Sequence, residues 1–171
     1  MITDSYLRVM ARYNRWQNEA VYGAAERLTD AARTEDRGAF FGSIHGTLSH
    51  LYWADRIWLS RFDLIAAPPV PQRESARYVE QFDALKNLRG ELDELLIGFC
   101  DTHEKGPLRG KLTWFSGSTM SEATAPLSMI LTHLFNHQTH HRGQVHAMLT
   151  AAGESTGDTD LFLMPRELWP N

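Results

Sequence analysis

The chain has 171 residues, 43% hydrophobic and 22% charged, which is typical of a single globular domain, here residues 1–171. Its 17 basic and 21 acidic residues give a formal net charge of −4, and without a basic block we expect no nucleic-acid partner. No apolar run approaches the roughly 20 residues of a membrane span, and the N-terminus does not resemble a signal peptide. Cys100 is the only cysteine, which excludes an intramolecular disulfide, and we expect a cytoplasmic protein.

The first predicted helix covers residues 3–28, where apolar side chains recur at helical spacing. Asn14 and Asn18 lie one turn apart near its inward face. We expect their amides to tie neighbouring helices together, with the orientation of a ligand or substrate as the alternative. Residues 29–37 are polar and are predicted to form a connection, with a short turn of helix within it as an alternative.

The second predicted helix covers residues 38–62. Its apolar stripe includes Asp55, and a carboxylate on a buried face requires a partner. Arg142 is one candidate for that partner. We expect Asp55 to form a buried structural salt bridge.

A proline-rich connection, residues 63–73, separates the second helix from a third that is predicted over residues 74–104. The third helix has an apolar stripe without evident chemistry, and Cys100 is interpreted as a structural cysteine on its buried face. Residues 105–125 contain β-forming side chains followed by a turn at Gly117. They predict a short hairpin or a long crossover loop, which could also cover a site.

The last predicted helix, residues 126–153, contains five of the 8 histidines. Pro126 suits the first helical position and Gly153 suits the C-terminal end. At about 100° per residue, His137 and His141 lie one turn apart on the apolar stripe. Such a pair can chelate one metal ion, and hydrogen-bonded core histidines are the alternative. The other histidines of this helix are His133, His140 and His146.

Two histidines leave a metal site incomplete, because catalytic zinc sites usually have three protein ligands and an open position. The third ligand must come from another helix, since histidines two turns apart on one helix are separated by about 12 Å. His50 and His45 are the candidates, with His103 a more distant one, and spacing alone does not choose between them. Three residues are candidates for orienting the ligand rings: His133, His140 and Gln144. Arg142 is a candidate for binding an anionic substrate group.

Segments along nearly the whole chain resemble one family, the DinB/YfiT-like family of small metal-binding helical bundles. These segments are HQTHHRGQ at 137–144, YNRWQNE at 13–19, SIHGTLSHLYWADRIWLSRF at 43–62 and DTDLFLMPRE at 158–167. HHRGQ with an upstream histidine is the most specific of them. We therefore predict an all-α four-helix bundle with a long crossover or short hairpin before the fourth helix. The resemblance also selects the histidine of TLSHLYWADRIW, His50, as the ligand from the second helix.

The resemblance implies that His50, His137 and His141 bind one divalent metal ion per chain, zinc or nickel. Some members of the superfamily resemble transferases or isomerases that use low-molecular-weight thiols, and other members are non-catalytic metal-binding or stress-related proteins. A metal-dependent hydrolase would use the same ligands, but the HExxH and Glu-x-x-His patterns are absent. A homodimer is expected from the family and from surplus aromatic residues such as Trp16 and Trp53. No residue outside the ligands has an assignable catalytic role.

Overall fold

The computed structural model describes residues 2–102, 110–117 and 119–170, and this part of the chain is mostly helical. Its α-helices are α1 (Asp4–Glu26), α2 (Asp30–Thr34), α3 (Ile44–Ser60), α4 (Phe82–Thr102) and α5 (Leu127–Ala151). Two antiparallel strands, β1 (Lys111–Ser116) and β2 (Ser121–Pro126), form a hairpin that leads directly into α5. The prediction of an all-α protein therefore omits a two-stranded sheet, and the hairpin alternative is confirmed. His103, the distant ligand candidate, lies outside the described residues.

Helix α3 begins later than predicted because two glycines turn the chain before it. Gly38 and Gly42 have φ angles of 70° and 76°, which glycine adopts more readily than other residues. The N-cap of the helix is Ser43, whose side-chain oxygen accepts a hydrogen bond of 3.0 Å from the backbone N–H of Gly46. As a result, Phe41 lies beside α3 and is not part of it.

Helix α4 also begins later than predicted, because a separate 3-10 helix, Gln72–Arg77, precedes it. Between the two, the backbone of Val79 is hydrogen-bonded to α3. Its N–H donates to Ser49 Oγ at 3.2 Å, and its carbonyl accepts from His45 Nε2 at 2.8 Å. These groups are no longer available for intrahelical bonds, so the helix restarts at Phe82.

The apolar core lies where the long helices meet. α1 packs against α4 and α5, and α3 packs against the same two helices. Burying one leucine side chain contributes about 1.5–3 kcal/mol to folding. Cys100 is fully buried in this core, as expected of a structural cysteine, and burial raises its pKa to about 12. The buried leucines include Leu7, Leu48, Leu96, Leu131 and Leu134.

A buried network of charged side chains joins α3 to α4 and α1. Arg89 on α4 donates hydrogen bonds of 2.8 Å to Asp55 on α3 and 2.8 Å to Asp93 on its own helix. Asp93 also accepts from the amides of Asn18 at 2.9 Å and Asn14 at 3.3 Å. The prediction that these asparagines tie helices together is confirmed. We call Arg89, Asp55, Asp93, Asn14 and Asn18 the arginine–aspartate network.

The candidate ion pair between Asp55 and Arg142 is wrong, because Arg89 occupies the position beside the Asp55 carboxylate. Arg142 instead donates to the side-chain oxygens of Asn14 and Gln138. Amide oxygens carry no full charge, and burial lowers the pKa of Arg142 to about 10. The expectation of a buried structural salt bridge at Asp55 is confirmed with a different arginine.

The two tryptophans expected at a subunit contact differ in their surroundings. Trp53 is 9% exposed, and its indole N–H donates to the carbonyl of Val70 at 2.9 Å. Trp53 is therefore a core residue, and the prediction that it is a surplus aromatic residue at a dimer contact is wrong. Trp16 is partly exposed and packs edge-on against Tyr13, with ring centroids 5.8 Å apart. Within the described ranges, no helix has both the length and the apolar character needed to cross a bilayer.

Candidate metal centre

Three histidines from two helices converge between α3 and α5. His50 on α3 faces His137 and His141, which lie one turn apart on α5. One potential ligand atom of each ring lies within 4.8 Å of those of the other two. The structure thus brings together the three residues predicted as ligands. We call them the histidine cluster.

The ring of His50 is held from outside the cluster by the 3-10 helix. Its Nδ1 lies 2.8 Å from Ser75 Oγ, and Ser49 of α3 donates to the carbonyl of Ser75 at 2.8 Å. With the proton on Nδ1, the lone pair of His50 is on Nε2, which lies 3.4 Å from Nε2 of His137. Metal-binding histidines are commonly oriented in this way, by a hydrogen bond from the nitrogen that does not bind the metal.

The ring of His141 is held from its own helix. Its Nδ1 lies 2.7 Å from Oε1 of Gln144, three residues further along α5. An amide oxygen can only accept, so Nδ1 carries the proton and Nε2 has a free lone pair. The amide nitrogen of Gln144 lies 3.5 Å from Nε2 of His140. Gln144 therefore orients a ring of the cluster, as predicted.

The surroundings keep these rings neutral. Burial lowers the pKa of His50 from 6.5 to about 3, with smaller effects from His137 and His141. Burial and the neighbouring histidines likewise lower the pKa of His137 to about 3, and burial lowers that of His141. Because neutral imidazole is the form that binds metal, no proton has to be displaced from these rings at neutral pH.

The donor set fits a metal ion better than it fits hydrogen bonding alone. Two ring nitrogens, on His50 and His137, face each other at 3.4 Å inside the protein. The other nitrogen of His137, Nδ1, is buried and has no hydrogen-bond partner in the described part of the chain. Unpaired buried polar atoms are costly, whereas three converging imidazole lone pairs are a common site for a divalent ion. The three histidines could hold one metal ion.

The chain is similar to known proteins over most of its length. The model of the DinB family matches residues 1–167. The chain belongs to the DinB family. It is also 27% identical over 158 residues to "Protein DinB" of Bacillus subtilis (strain 168), a match that covers 88% of each chain. No solved structure gives a significant match.

Phe41 covers one side of the cluster in this DinB-family chain. Its ring stacks on His50 with centroids 3.7 Å apart and meets His141 edge-on at 5.3 Å. The close approach requires a glycine at position 46, because a Cβ there would lie 2.4 Å from the Phe41 carbonyl oxygen. The helix predicted over residues 38–62 included position 41, so this contact was missed. Gly42, directly before the N-cap Ser43, was the available signal that the helix had not yet begun.

Ser75 was also missed, because residues 74–104 were predicted to form one helix. The contact between Ser75 and His50 depends on how the 3-10 helix docks against α3. This contact joins residues that are 25 positions apart in the sequence, so the spacing of residues within one helix cannot predict it. The sequence could therefore identify His50 only through the family resemblance.

His45 on α3 and His133 on α5 do not belong to the cluster. His45, the alternative third ligand, bonds to the backbone of Val79 through Nε2 at 2.8 Å. His133 lies one turn before His137 on α5, with ring centroids 5.6 Å apart. Its ring packs edge-on against Trp58 at 5.3 Å. His133 therefore continues the aromatic surface away from the cluster toward the hairpin.

Proposed function

We propose that His50, His137 and His141 bind one divalent metal ion per chain, with zinc or nickel as the most suitable ions. The observation that supports this is the convergence of three neutral imidazole rings, each of which places one nitrogen within 4.8 Å of a nitrogen of the other two. Imidazole ligands suit both ions. Ser75 and Gln144 would hold two of the rings in place before metal binds. The loss of side-chain entropy on metal binding would therefore be smaller.

We further propose that the protein is a metal-dependent thiol transferase acting with a low-molecular-weight thiol. A divalent ion with three protein ligands would have one coordination position open for a thiol. The ion would lower the pKa of that thiol, so that it reacts as a thiolate. In the transfer, sulfur forms a bond to an electrophilic carbon while the bond from that carbon to its leaving group breaks. The leaving group departs with the electron pair, and the thiol proton passes to water.

The residues around the cluster suit this chemistry. Phe41 and Trp53 both stack on His50, at centroid distances of 3.7 Å and 6.1 Å, and His50 is buried from water. Among the described residues, no carboxylate joins the three histidines of the cluster. A hydrolase would normally use a carboxylate as general base, so the cluster favours thiol transfer over hydrolysis. A non-catalytic metal-binding role is the alternative that activity assays must exclude.

The arrangement of helices also belongs to this proposal. We infer that α1, α3, α4 and α5 form a four-helix bundle in which the hairpin serves as the crossover before α5. Each of α1 and α3 packs against both α4 and α5, which supports the inference. Metal sites in such bundles are built from side chains on facing helices, as the cluster is built from α3 and α5.

The proposal is tested by loading the protein with zinc or nickel and measuring chloride release from chlorodinitrobenzene with glutathione, bacillithiol or mycothiol. We expect metal-dependent turnover that is lost in His137→Ala. The matched control is His45→Gln, which alters a buried histidine outside the cluster and should retain activity. Metal that binds at the cluster without turnover of any thiol and electrophile pair would favour the non-catalytic alternative.

A further inference from the structure

Arg61, on the hairpin side of the molecule, is a positively charged side chain for which the described residues supply no anionic partner. It is the C-cap residue of α3 and is partly buried. Its Cζ atom lies 4.2 Å from the ring centroid of Trp58 and 5.5 Å from that of Trp114 on β1. No described carboxylate lies within ion-pair distance of it, in contrast to Arg12, which forms a bidentate pair with Asp101.

Both tryptophans lie on the same side of the Arg61 guanidinium, because their ring centroids are 5.4 Å apart and lie 4.2 Å and 5.5 Å from its Cζ atom. A guanidinium has five N–H donors in one plane, and cation–π contact with aromatic rings leaves these donors free to bind an acceptor. No group in the described part of the chain accepts a hydrogen bond from the Arg61 guanidinium. A planar fork of donors held in this way matches the two oxygens of a carboxylate. Burial lowers the pKa of Arg61, which agrees with the lack of a carboxylate partner within the chain.

A continuous aromatic surface connects Arg61 to the histidine cluster. From the cluster it runs through His133, whose ring lies 5.6 Å from that of His137, to Trp58, 5.3 Å from His133. Trp114 then extends the surface onto the hairpin. A small molecule with an apolar body could lie along these rings, with one end at the cluster and the other at Arg61.

We propose that Arg61, Trp58 and Trp114 form a subsite for the carboxylate of the small molecule whose sulfur binds at the histidine cluster. This proposal rests on the proposed function, and it defines the ligand as a carboxylate-bearing thiol. Arg61 acts here as a specificity-determining residue. The carboxylate accepts hydrogen bonds from its N–H edge, while the sulfur reaches the cluster.

The test compares mercaptohexanoate with mercaptohexanol, which differ only in the carboxylate, on zinc-loaded protein by isothermal titration calorimetry. We expect mercaptohexanoate to bind wild type about tenfold more tightly, as one charge-assisted contact would give. This preference should disappear in Arg61→Gln and be intermediate in Arg61→Lys, which keeps a charge at the C-terminus of α3 without the planar fork. The matched control is Arg166→Gln, since Arg166 stacks on a single tryptophan, Trp169, at 5.5 Å. A preference that survives in Arg61→Gln, or that is absent from wild type, overturns the subsite.

Hexanoate, which has no sulfur, separates this proposal from the proposed function. Titration of metal-free protein with hexanoate should shift the indole N–H signals of Trp58 and Trp114 in nuclear magnetic resonance spectra, assigned with Trp58→Phe and Trp114→Phe. The shifts should be absent in Arg61→Gln and present in Arg166→Gln. If the wild type binds no zinc but gives these shifts, the metal proposal fails and the carboxylate subsite stands. If zinc binds and hexanoate shifts neither signal, the subsite fails and the metal proposal stands.

Discussion

The histidine cluster and the arginine–aspartate network are both buried polar groups, but only the network contains groups of opposite charge that pair with each other. In the network, Arg89 is 2% exposed and lies between Asp55 and Asp93, each of which accepts a bond of 2.8 Å. In the histidine cluster, Nε2 of His50 and Nε2 of His137 face each other at 3.4 Å, and Nδ1 of His137 has no hydrogen-bond partner among the described residues. A buried cluster whose opposite charges pair with each other supports the fold, whereas one whose ring nitrogens converge is suited to a ligand.

The largest effect should come from breaking the network. Arg89→Met leaves two buried carboxylates without their cation and should lower the free energy of unfolding by about 3–5 kcal/mol, measured by urea denaturation. The matched control is Lys86→Met, which removes a surface ion pair with Glu26 at 2.6 Å and should cost about 0.2–1 kcal/mol. Equal losses in the two variants would contradict the structural role of the network.

Metal should stabilise the protein through the histidine cluster. Zinc at a free concentration of about one hundred times its dissociation constant should raise the free energy of unfolding by about 2.7 kcal/mol, because it binds the folded state. The increase should be absent in His141→Ala, although Arg89→Met should keep it in the fraction of molecules that remains folded. Paired urea titrations with zinc and with a chelator measure the effect. An equal increase in His141→Ala would place the stabilising metal elsewhere.

Removal of the Ser75 hydroxyl should weaken metal binding without removing a ligand. Ser75→Ala frees Nδ1 of His50, so the ring loses the hydrogen bond that orients it. The affinity for zinc should fall by about 10- to 100-fold, measured by competition with a chromophoric chelator. Ser60→Ala removes a hydroxyl that bonds within α3 and serves as the control. Unchanged affinity in Ser75→Ala would show that the hydrogen bond does not orient the ligand.

Acid should destabilise the metal-free protein through the same histidines. The pKa of both His50 and His137 is lowered from 6.5 to about 3, so below pH 6.5 the unfolded chain binds protons that the folded chain does not. Stability is therefore complete above pH 6.5 and falls toward pH 3, by up to about 1.4 kcal/mol per pH unit for each ring. Urea denaturation from pH 7 to pH 5 measures the slope. The double variant His50→Gln, His137→Gln should lose most of it, and an unchanged slope would assign it to other groups.

The four long helices and two of the three histidines of the cluster could be predicted from local spacing. The positions of His137 and His141 on one face of α5 follow from residues four apart on a regular helix. Asn14 and Asn18 were likewise placed correctly at a helix contact, because the inward face of α1 could be read from its apolar side chains. In each case the information lies within one element.

The parts that could not be predicted depend on contacts between elements distant in sequence. Asp55 was known to need a partner, but helical spacing could not say that Arg89 lies beside it and Arg142 faces Asn14. Ser75 contacts His50 because it lies in a 3-10 helix that is separate from α4. His50 itself needed the family resemblance, since its helix face does not distinguish it from His45 by spacing.

The measurement that tests the metal site most directly is the metal content per chain, determined by plasma mass spectrometry after reconstitution with zinc or nickel. Wild type should hold about one ion per chain. His50→Ala, His137→Ala and His141→Ala should each lose it, and His45→Gln should keep it. Wild type without metal after reconstitution, or metal retained in all three alanine variants, would contradict the proposed centre.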